Sequence, residues 1–396
     1  MGRYYSRTYP RIESLVFEHY QNNYGDFKDI FQVTVDPNTI YGKIVNVSNL
    51  MDAYRKSMRG STKYKRGSVS FNNNLLPNLA SIYARLVHEL YFPYRYDRFV
   101  LNDGKARLID VPPHSDKIVH HMINNVLLDY FTNIFIKDSY ACIKGRGNQK
   151  AVERLKVLRK RAMKEYGEDC YFLKLDISKF FHNINQDILK YIIRKYIPCF
   201  STCTLLERII YGYPEEKGLP LGNLISQLFA NIYMHEFDIY CKKDLNIPFY
   251  LRYADDIFIF VKNHTTAKDI LNKCINFASN NLKLVINPQK CYISKPSRIS
   301  GLGYVFTNKG LKTKGKSLKH FKEFVHNYDL KRMNSWYITA AKGHVYTFIK
   351  RQIADKNIEF NPNDKVPFKI KTMTEEVLDD TLIDFLEIGT YDNLIY

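Results

Sequence analysis

The sequence predicts an α+β fold in which a small sheet carries three acidic residues and is backed by helices. The run Tyr171-Phe-Leu-Lys-Leu-Asp176 has the composition of a buried strand that ends at an acid. The run Leu251-Arg-Tyr-Ala-Asp-Asp-Ile-Phe-Ile-Phe260 has the pattern of two short strands joined by a tight turn at its adjacent acids. Stretches of helical periodicity separate and follow these strands, and this order is typical of a sheet layer packed against helices.

The composition restricts the partners that the chain can have. Its 396 residues include 59 Lys and Arg against 40 Asp and Glu, a net charge of +19. We expect such a folded chain to bind a polyanion, because neutralised phosphates release counterions. The sequence has no run of the roughly 18 apolar residues that a membrane span needs, so we expect a cytoplasmic protein with no membrane partner. Seven scattered cysteines indicate free thiols rather than disulfides or a zinc site.

The first part of the chain predicts an extension followed by a basic surface. Residues 1–46 are mixed and aromatic, and helical periodicity begins at Val47. A basic cluster without an intervening acid follows: Arg55, Lys56, Arg59, Lys63, Lys65 and Arg66. Such a run can be a solvated helix face, but the net charge favours a surface that contacts phosphates.

A β-hairpin is predicted over residues 97–113, with its turn at Asn102-Asp103-Gly104. Helices are predicted from Ser115 to Phe135 and from Gln149 to Glu165. The second helix carries another basic set: Arg154, Lys156, Arg159, Lys160, Arg161 and Lys164. We expect this face and the lysine-rich run 309–322 to contact a polyanion.

The second half of the chain supplies the remaining elements. Gly218-Leu-Pro-Leu-Gly-Asn223 predicts a glycine-rich loop that opens a long buried helix. A helix is predicted over residues 267–281 and strands near 284–293 and 298–307. The stretch 311–396 is predicted to be largely helical and to end with acidic residues.

The acids Asp176 and Asp255 are far apart in the sequence, and adjacent central strands would bring them together. Converging carboxylates suit hard divalent cations such as Mg²⁺, which bind through one or two carboxylates plus substrate phosphates. Two other interpretations remain open at this point. Asp255 and Asp256 can be solvated acids at a hairpin tip, and Asp176 can cap the helix that follows it.

Three motifs in this order resemble those of reverse transcriptases. Leu175-Asp-Ile-Ser-Lys-Phe-Phe181 is similar to their first catalytic motif, Gly218–Gln227 to their template- and nucleotide-positioning motif, and Tyr253-Ala-Asp-Asp256 to their YxDD box. Weaker similarities extend the match to residues 47–350: Lys105–Ile109 and Asp138–Gly147 in the fingers, Asn287–Lys290 after the YxDD box, and Gly301–Tyr304 at the primer grip.

The resemblance implies a right-hand polymerase with fingers, an RRM-like palm and a helical thumb. The implied bounds are 1–46 for the N-terminal extension, 47–165 for the fingers, 166–310 for the palm with 185–225 partly in the fingers, and 311–396 for the helical thumb and C-terminal region. The implied activity is RNA-directed DNA polymerisation from dNTPs. It would use an RNA template and a DNA product duplex, and an accessory protein or a second copy is left open as a partner.

The same resemblance assigns roles by position. The implied catalytic set is Asp176, Asp255, Asp256 and Lys290, and the implied ligands of two Mg²⁺ ions, with Mn²⁺ as the alternative, are Asp176, Ile177, Asp255 and Asp256. Lys290 would protonate the pyrophosphate, or is a plain surface lysine. The implied nucleotide contacts are Arg107 over the triphosphate, Phe181 as the steric gate against a 2′-hydroxyl, and Leu221, Gly222 and Gln227. Gly303 and Tyr304 would hold the primer end.

Two departures bear on the biological role. Many reverse transcriptases carry Gln where this chain has Leu221 and Ser-Pro where it has Ser226-Gln227. Leu221 cannot make the polar contact of a glutamine, which predicts relaxed base discrimination. The variant is similar to enzymes of diversity-generating retroelements and of antiphage defence, and the extension 1–46 favours defence, with a dedicated non-coding RNA as template. The alternatives are a mutagenic enzyme of a diversity-generating retroelement, a catalytically idle RNA-binding scaffold, and an RNA-dependent RNA polymerase, which Phe181 disfavours.

Overall fold

The computed structural model describes residues 18, 22, 35–102 and 106–370. The α-helices with described bounds are α1 Ile40–Ile44, α2 Val47–Ser57, α3 Arg66–Asn73, α4 Leu75–Val87, α5 His114–Ile134, α6 Gly147–Tyr166, α7 Phe180–Asn183, α8 Gln186–Tyr196, α9 Phe200–Tyr211, α10 Leu224–Ile239, α11 His264–Leu282, α12 Gly315–His326, α13 Leu330–Ala340 and α14 Tyr346–Ile353. The strands are β1 Asp97–Asn102, β2 Ala106–Val111, β3 Tyr171–Asp176, β4 Phe249–Tyr253, β5 Asp256–Val261, β6 Tyr292–Ser294, β7 Arg298–Gly301, β8 Tyr304–Thr307, β9 Gly310–Thr313, β10 Ile358–Phe360 and β11 Phe368–Ile370. The predicted α+β class is confirmed.

The central sheet has the strand order β4-β5-β3-β6, and all its pairs are antiparallel. Side chains alternate between its two faces, as a strand period of two requires. Leu173 and Ile257 lie in the core formed with α10 and α11. Phe172 and Phe258 lie in a second core with α6 and the three-stranded sheet β7-β8-β9. The sheet is therefore covered on both faces, and its strand ends carry the polar residues.

The predicted fingers are built around α5, which packs against α2 and α10. The buried positions Ile118, Met122 and Ile123 recur at helical spacing and supply its contact face. Helix α1 joins the same core, and the Tyr41 hydroxyl donates to the Leu86 carbonyl at 2.6 Å. The end of the predicted extension is thus continuous with the folded body, whereas most of residues 1–34 lie outside the described part.

The predicted hairpin is confirmed as β1 and β2, which pair from Asp97 with Val111 to Asn102 with Ala106. Its turn residues 103–105 lie outside the described part. The hairpin is exposed along most of its length, and Ile109 and Asp110 are buried where it joins the body. It therefore projects from the folded body with Arg107 on an exposed stretch.

Two predicted elements differ in the structure. The segment from Leu284 is not a strand until Tyr292, and Ile286 makes only an isolated bridge to Ile177. Asn287 and Pro288 break the strand, because the Asn287 side chain accepts from the Gln289 amide at 3.1 Å in a turn. The predicted thumb is not only helical, since β10 and β11 form a hairpin beside α12, α13 and α14. The acidic end of the chain, residues 371–396, lies outside the described part.

The predicted basic face of α6 is only partly a free surface. Arg154 donates to Asp138 at 2.6 Å, and Arg159 donates to the Pro296 carbonyl at 2.6 Å. These two arginines hold α6 to neighbouring loops, whereas Lys160 remains exposed, as do Arg161 and Lys164. All seven cysteines are free, as predicted. Within residues 35–102 and 106–370, no helix is both long and apolar enough to cross a membrane.

Candidate active site

Three carboxylates converge at one end of the central strands. The pairing of β3 with β5 places Asp176 opposite Asp256, and the turn between β4 and β5 places Asp255 directly before Asp256. Ala254 in this turn has a φ of 53°, the left-handed conformation that a tight reversal needs. The structure thus brings together the three acids that sequence spacing associates, and the turn accounts for their adjacency.

The site accumulates negative charge. The pKa of Asp255 is raised from 3.8 to about 6, first by burial, then by the charges of Asp256 and Asp176, against an opposing effect of Lys290. Like charges in a partly desolvated position disfavour one another. A bound cation would relieve this repulsion.

Two lysines contact these carboxylates. Lys290 Nζ lies 3.1 and 3.0 Å from the Asp176 carboxylate oxygens, and Lys174 Nζ lies 2.8 Å from Asp256 Oδ1. The predicted position of Lys290 beside the acids therefore agrees with the geometry. Lys174 was missed by the sequence reasoning, although it lies two residues before Asp176 and so on the same strand face.

The donor set fits hard divalent ions. Within the described ranges, no group of three or more His, Cys, Asp or Glu side chains could hold a metal by itself. Carboxylate oxygens are ligands of hard cations such as Mg²⁺, which commonly take further ligands from substrate phosphates. The side chain of Ile177 is buried and apolar, so its only available ligand atom is the main-chain carbonyl oxygen.

The loop after α11 fixes the main chain of Asp176. The Asn287 amide donates to the Asp176 carbonyl at 2.8 Å, and the Asp176 amide donates to Cys291 Sγ at 3.3 Å. The Ser178 amide donates to the Val285 carbonyl at 2.8 Å. This loop carries Lys290, so the same contacts place its ammonium group against the Asp176 carboxylate.

A buried ion pair supports the turn from the opposite face of the sheet. Arg252 on β4 donates to Asp238 on α10 at 2.8 Å from Nε and 2.7 Å from Nη2. Its Nη1 donates to the Ala254 carbonyl at 3.2 Å, inside the turn that holds Asp255. The Tyr250 hydroxyl also donates to Asp238, at 2.6 Å. Arg252 therefore ties the turn to α10.

Sequence reasoning missed this pair. The available signal was an arginine within an apolar strand and an aspartate within an apolar helix, since unpaired charges rarely occupy such positions. Both side chains are almost fully buried, at 1% exposure for Arg252 and 0% for Asp238.

The predicted gate residue Phe181 lies on α7 beside the glycine-rich loop. The Leu219 amide donates to the Phe181 carbonyl at 2.8 Å, and the Gly218 amide donates to the Ile184 carbonyl at 2.7 Å. Gly218 has a φ of 87°, and a Cβ there would lie 2.9 Å from the His182 carbonyl oxygen. Only glycine fits this close approach, which fixes the loop against α7.

The same loop contacts the base of the fingers hairpin. The Asp110 amide donates to the Leu221 carbonyl at 3.1 Å, and a Cβ on Gly222 would lie 2.9 Å from Ile109 Cγ2. Gly222 was predicted to let the main chain approach template or nucleotide, and its close neighbour in the structure is the hairpin. Gln227 lies half-buried in the first turns of α10.

The predicted primer grip is the turn between β7 and β8. Gly303 is exposed there, with a φ of 84°. The ring of Tyr304 is buried in the core with α6, and its hydroxyl donates to the Thr339 carbonyl on α13. The Tyr304 side chain is thus engaged inside the protein, because its position in β8 points it to the core. Only the main chain of this turn is available to a primer.

Positive charge concentrates where α2 approaches the start of α5. The pKa of His121 is lowered to about 4, first by burial and then by the charges of Lys56 and Arg59. Burial also lowers the pKa of Lys117, and Lys65 adds to the effect. Tyr64 is 73% exposed beside these residues, with Lys63 Nζ 4.9 Å from the centre of its ring. A basic and aromatic surface of this kind is suited to nucleic acid.

The chain is similar to proteins of one family. The family model described as reverse transcriptase (RNA-dependent DNA polymerase) matches residues 101–306, just over half of the chain. The group II intron-encoded protein LtrA of Lactococcus lactis subsp. cremoris is 26% identical over 159 residues, covering 37% of this chain and 25% of LtrA. The putative COX1/OXI3 intron 1 protein of Saccharomyces cerevisiae is 22% identical over 343 residues, covering 68% of this chain and 40% of that protein.

Among solved structures, the apo telomerase of Candida tropicalis is similar with a TM-score of 0.47 and 11% identity, covering 66% of this chain and 60% of the telomerase chain. The chain spans between a quarter and two fifths of the length of LtrA and the yeast intron protein. Every residue that sequence reasoning assigned to catalysis, nucleotide binding or the primer grip lies within the matched segment 101–306.

Proposed function

Because the chain belongs to the reverse transcriptase family, we propose that it is an RNA-directed DNA polymerase that extends a primer with dNTPs. The observation that carries the proposal is the convergence of Asp176, Asp255 and Asp256 at one end of the central strands. An idle scaffold of the same fold has no need to keep three acids together at the cost of mutual repulsion.

The carboxylates of Asp176, Asp255 and Asp256 would hold two divalent ions, Mg²⁺ or Mn²⁺. When bound, these ions would supply activation of the primer 3′-hydroxyl and charge neutralisation at the leaving pyrophosphate. Arg107, exposed on the fingers hairpin, would contact the triphosphate with its planar set of donors. Lys290 would donate a proton to the departing pyrophosphate, and its contact with Asp176 supports this role.

Selection of the sugar is proposed for Phe181. Its ring lies at the start of α7, packed against Phe180 with ring centres 5.5 Å apart. The hydrogen bonds from the glycine-rich loop hold this helix, so the ring has little freedom to move away from a 2′-hydroxyl. Gly303 and the adjoining main chain would hold the primer end.

The partners would be an RNA template, dNTPs and a DNA product duplex. We propose a dedicated non-coding RNA template in a prokaryotic defence system, copied with low fidelity because Leu221 offers no polar side chain to the base pair. A mutagenic role in a diversity-generating retroelement is the second candidate, supported by the same Leu221 and Gln227 variant. Sequencing the nucleic acid that co-purifies with the protein, and the DNA it makes, distinguishes them: DNA that remains a separate copy of one non-coding RNA supports the first, and substituted copies recovered within a gene support the second.

The polymerase proposal is tested by primer extension on an RNA template with Mg²⁺ and dNTPs. We expect extension by the full chain and a loss of roughly a thousandfold or more in Asp255→Asn, because one ligand carboxylate is gone. Lys268→Gln, a change at an exposed lysine on α11, is the matched control and retains activity. No dNTP incorporation by the unaltered chain, or equal activity in Asp255→Asn, would refute the proposal.

The sugar gate is tested by comparing kcat/KM for dNTPs and for ribonucleotides. Phe181→Ala is expected to lower the preference for dNTPs roughly ten- to a hundredfold, because space opens for the 2′-hydroxyl. Tyr211→Ala removes an exposed ring on α9 and serves as the control. An unchanged preference in Phe181→Ala would contradict the gate assignment.

A further inference from the structure

An open cavity of about 500 Å³ lies at the base of the β1–β2 hairpin, between α3, α4 and the start of α5. Its volume is within the roughly 300–1,000 Å³ typical of sites for small ligands or their parts. Arg95 precedes the hairpin and Pro113 follows it, and both line the cavity. None of the residues assigned to catalysis, nucleotide binding or the primer grip lines it, so it is separate from the site described above.

The cavity has an uncompensated positive character. Arg85 and Arg95 are the charged residues that line it, and no acidic residue of the described part does so. Arg85 Nε is buried and has no hydrogen-bond partner among the described residues. The guanidinium charge therefore has no acceptor at this nitrogen, and a phosphate in the cavity that contacts the other guanidinium nitrogens would be stabilised there.

The Asp116 carboxylate interacts with the Arg85 charge, and it is already engaged by other groups. Its oxygens accept from the Tyr91 hydroxyl at 2.9 Å and from the Tyr94 amide at 2.7 Å. Burial raises the pKa of Asp116, and the hydrogen bonds and the Arg85 charge oppose this effect. Asp116 therefore orders the segment that carries Tyr94 and leaves the Arg85 donor unpaired.

Aromatic rings stand beside the arginines. The Arg85 guanidinium lies 5.0 Å from the centre of the Tyr94 ring, which is 52% exposed and lines the cavity. Phe92, two residues earlier, is 60% exposed, with the Arg208 guanidinium 4.8 Å from its ring centre. The hydroxyls of Ser81 and Ser115 add polar atoms to the cavity wall. Arginine with exposed rings is the combination that binds the backbone and bases of single strands.

We propose that this cavity binds one nucleotide of the unpaired template strand, with its phosphate on Arg85 and Arg95 and its base on Tyr94. The inference rests on the proposed function, because that function supplies a single-stranded template. The cavity lies at the base of the β1–β2 hairpin and next to α3, which begins at Arg66 of the basic cluster. This position favours a nucleic-acid strand over a free nucleotide as the ligand. A strand can continue along the basic cluster, whereas a free nucleotide gains nothing from it.

The test measures binding by fluorescence anisotropy for two primer–template duplexes, whose RNA templates extend past the primer by about two or about ten nucleotides. We expect the unaltered chain to bind the long extension more tightly. Arg95→Glu should weaken binding of the long extension by roughly tenfold and leave the short one within about twofold, because one phosphate contact is reversed in charge. Tyr94→Ala should also cost roughly tenfold on the long extension alone, through lost stacking.

Lys268→Glu is the matched charge reversal, on α11 behind the central sheet, and should affect both duplexes equally. The proposal is overturned if Arg95→Glu weakens binding of both duplexes equally, as is expected of Lys268→Glu. Equilibrium dialysis with AMP alone tests the other source of the phosphate. Loss of AMP binding in Arg95→Glu with an unchanged effect of the extension would identify a free-nucleotide site and overturn the strand assignment.

These binding measurements need no polymerisation. A chain that shows the expected dependence on the extension but adds no dNTP would refute the proposed function and leave this site standing. If the chain adds dNTPs but Arg95→Glu has no effect on binding of the long extension, the proposed function stands and this site is refuted.

Discussion

Two ion pairs on the central sheet differ in exposure, and the difference distinguishes a pair at the candidate active site from a pair that stabilises the fold. Lys290 pairs with Asp176 at the open end of the strands, and the lysine side chain is 53% exposed. Arg252 pairs with Asp238 on the opposite face, with both side chains almost fully buried. Water and incoming ions can replace Lys290, whereas nothing can replace Arg252 without leaving Asp238 charged and alone. The exposed Lys290 ammonium group suits a site that must bind metal ions in its place. The buried Arg252 guanidinium suits a structural support for the turn that carries Asp255.

The largest expected effect comes from breaking the buried pair. Asp238→Asn removes the charge that Arg252 faces, and an uncompensated buried guanidinium costs about 3–5 kcal/mol of unfolding free energy. Urea denaturation followed by circular dichroism measures this loss. A loss below about 1 kcal/mol would place the pair in the class of surface ion pairs.

The next largest effect on stability comes from the repulsion between Asp255 and the neighbouring carboxylates of Asp176 and Asp256. The folded-state pKa of Asp255 is raised from 3.8 to about 6, so ionising this group in the folded chain lowers the free energy of unfolding. This cost is small below about pH 4 and complete above about pH 6. Asp255→Asn removes this cost, so without divalent ions it should stabilise the chain at pH 8 by about 1–3 kcal/mol.

Urea denaturation in a chelator at pH 8 and at pH 4 tests the sign. The gain in Asp255→Asn should fall to about 0.5 kcal/mol at the lower pH, where Asp255 is protonated in the folded state and about half protonated in the unfolded state. A gain that is equal at the two pH values would show that charge is not its cause. The same variant is expected to lose extension activity, so stability and function oppose each other at this position.

A smaller effect is expected from Arg252→Lys. Lysine keeps a charge opposite Asp238 but lacks the planar fork that also reaches the Ala254 carbonyl. We expect the rate of dNTP addition at saturating substrate to fall about tenfold, because the turn with Asp255 is less well fixed. Single-turnover kinetics measure it. A rate equal to that of the unaltered chain would show that Arg252 supports the fold without positioning the turn.

The smallest effect on stability should come from Lys290→Met. An ion pair with a half-exposed lysine contributes about 1 kcal/mol or less, so denaturation should change little. The concentration of Mg²⁺ at half-maximal extension should fall about threefold, since an ammonium group no longer competes for Asp176. A higher Mg²⁺ requirement would contradict this competition.

Much of the fold was predictable because its signals are local. The apolar alternation around Asp176 and Asp255, the hairpin turn residues and the periodicity of α5, α6 and α11 each depend on neighbours in the sequence. The strand near Leu284 was mispredicted because apolar residues there fill a loop that packs under Asp176, a contact between distant segments.

The site was predictable to the extent that its residues form motifs. Asp176, Asp255 and Asp256 converge as spacing suggests, but Lys174, Arg252 and Asp238 emerge only once the strands and α10 are placed in space. Tyr304 shows the reverse case, since its motif suggests a primer contact while its strand position buries the ring. Motif matching identifies which residues belong near a site, and the direction of each side chain comes from the pairing of the strands.

The contact between the fingers hairpin and the glycine-rich loop has a mechanical consequence. Because the Asp110 amide donates to the Leu221 carbonyl and Gly222 lies against Ile109, we expect the hairpin and the loop to move together. The loop is in turn fixed to α7 through Gly218 and Leu219. Any swing of the hairpin that brings Arg107 towards a triphosphate would therefore displace the loop and pull on the helix that carries Phe181. Closing over a nucleotide and inspecting its sugar would be one motion rather than two.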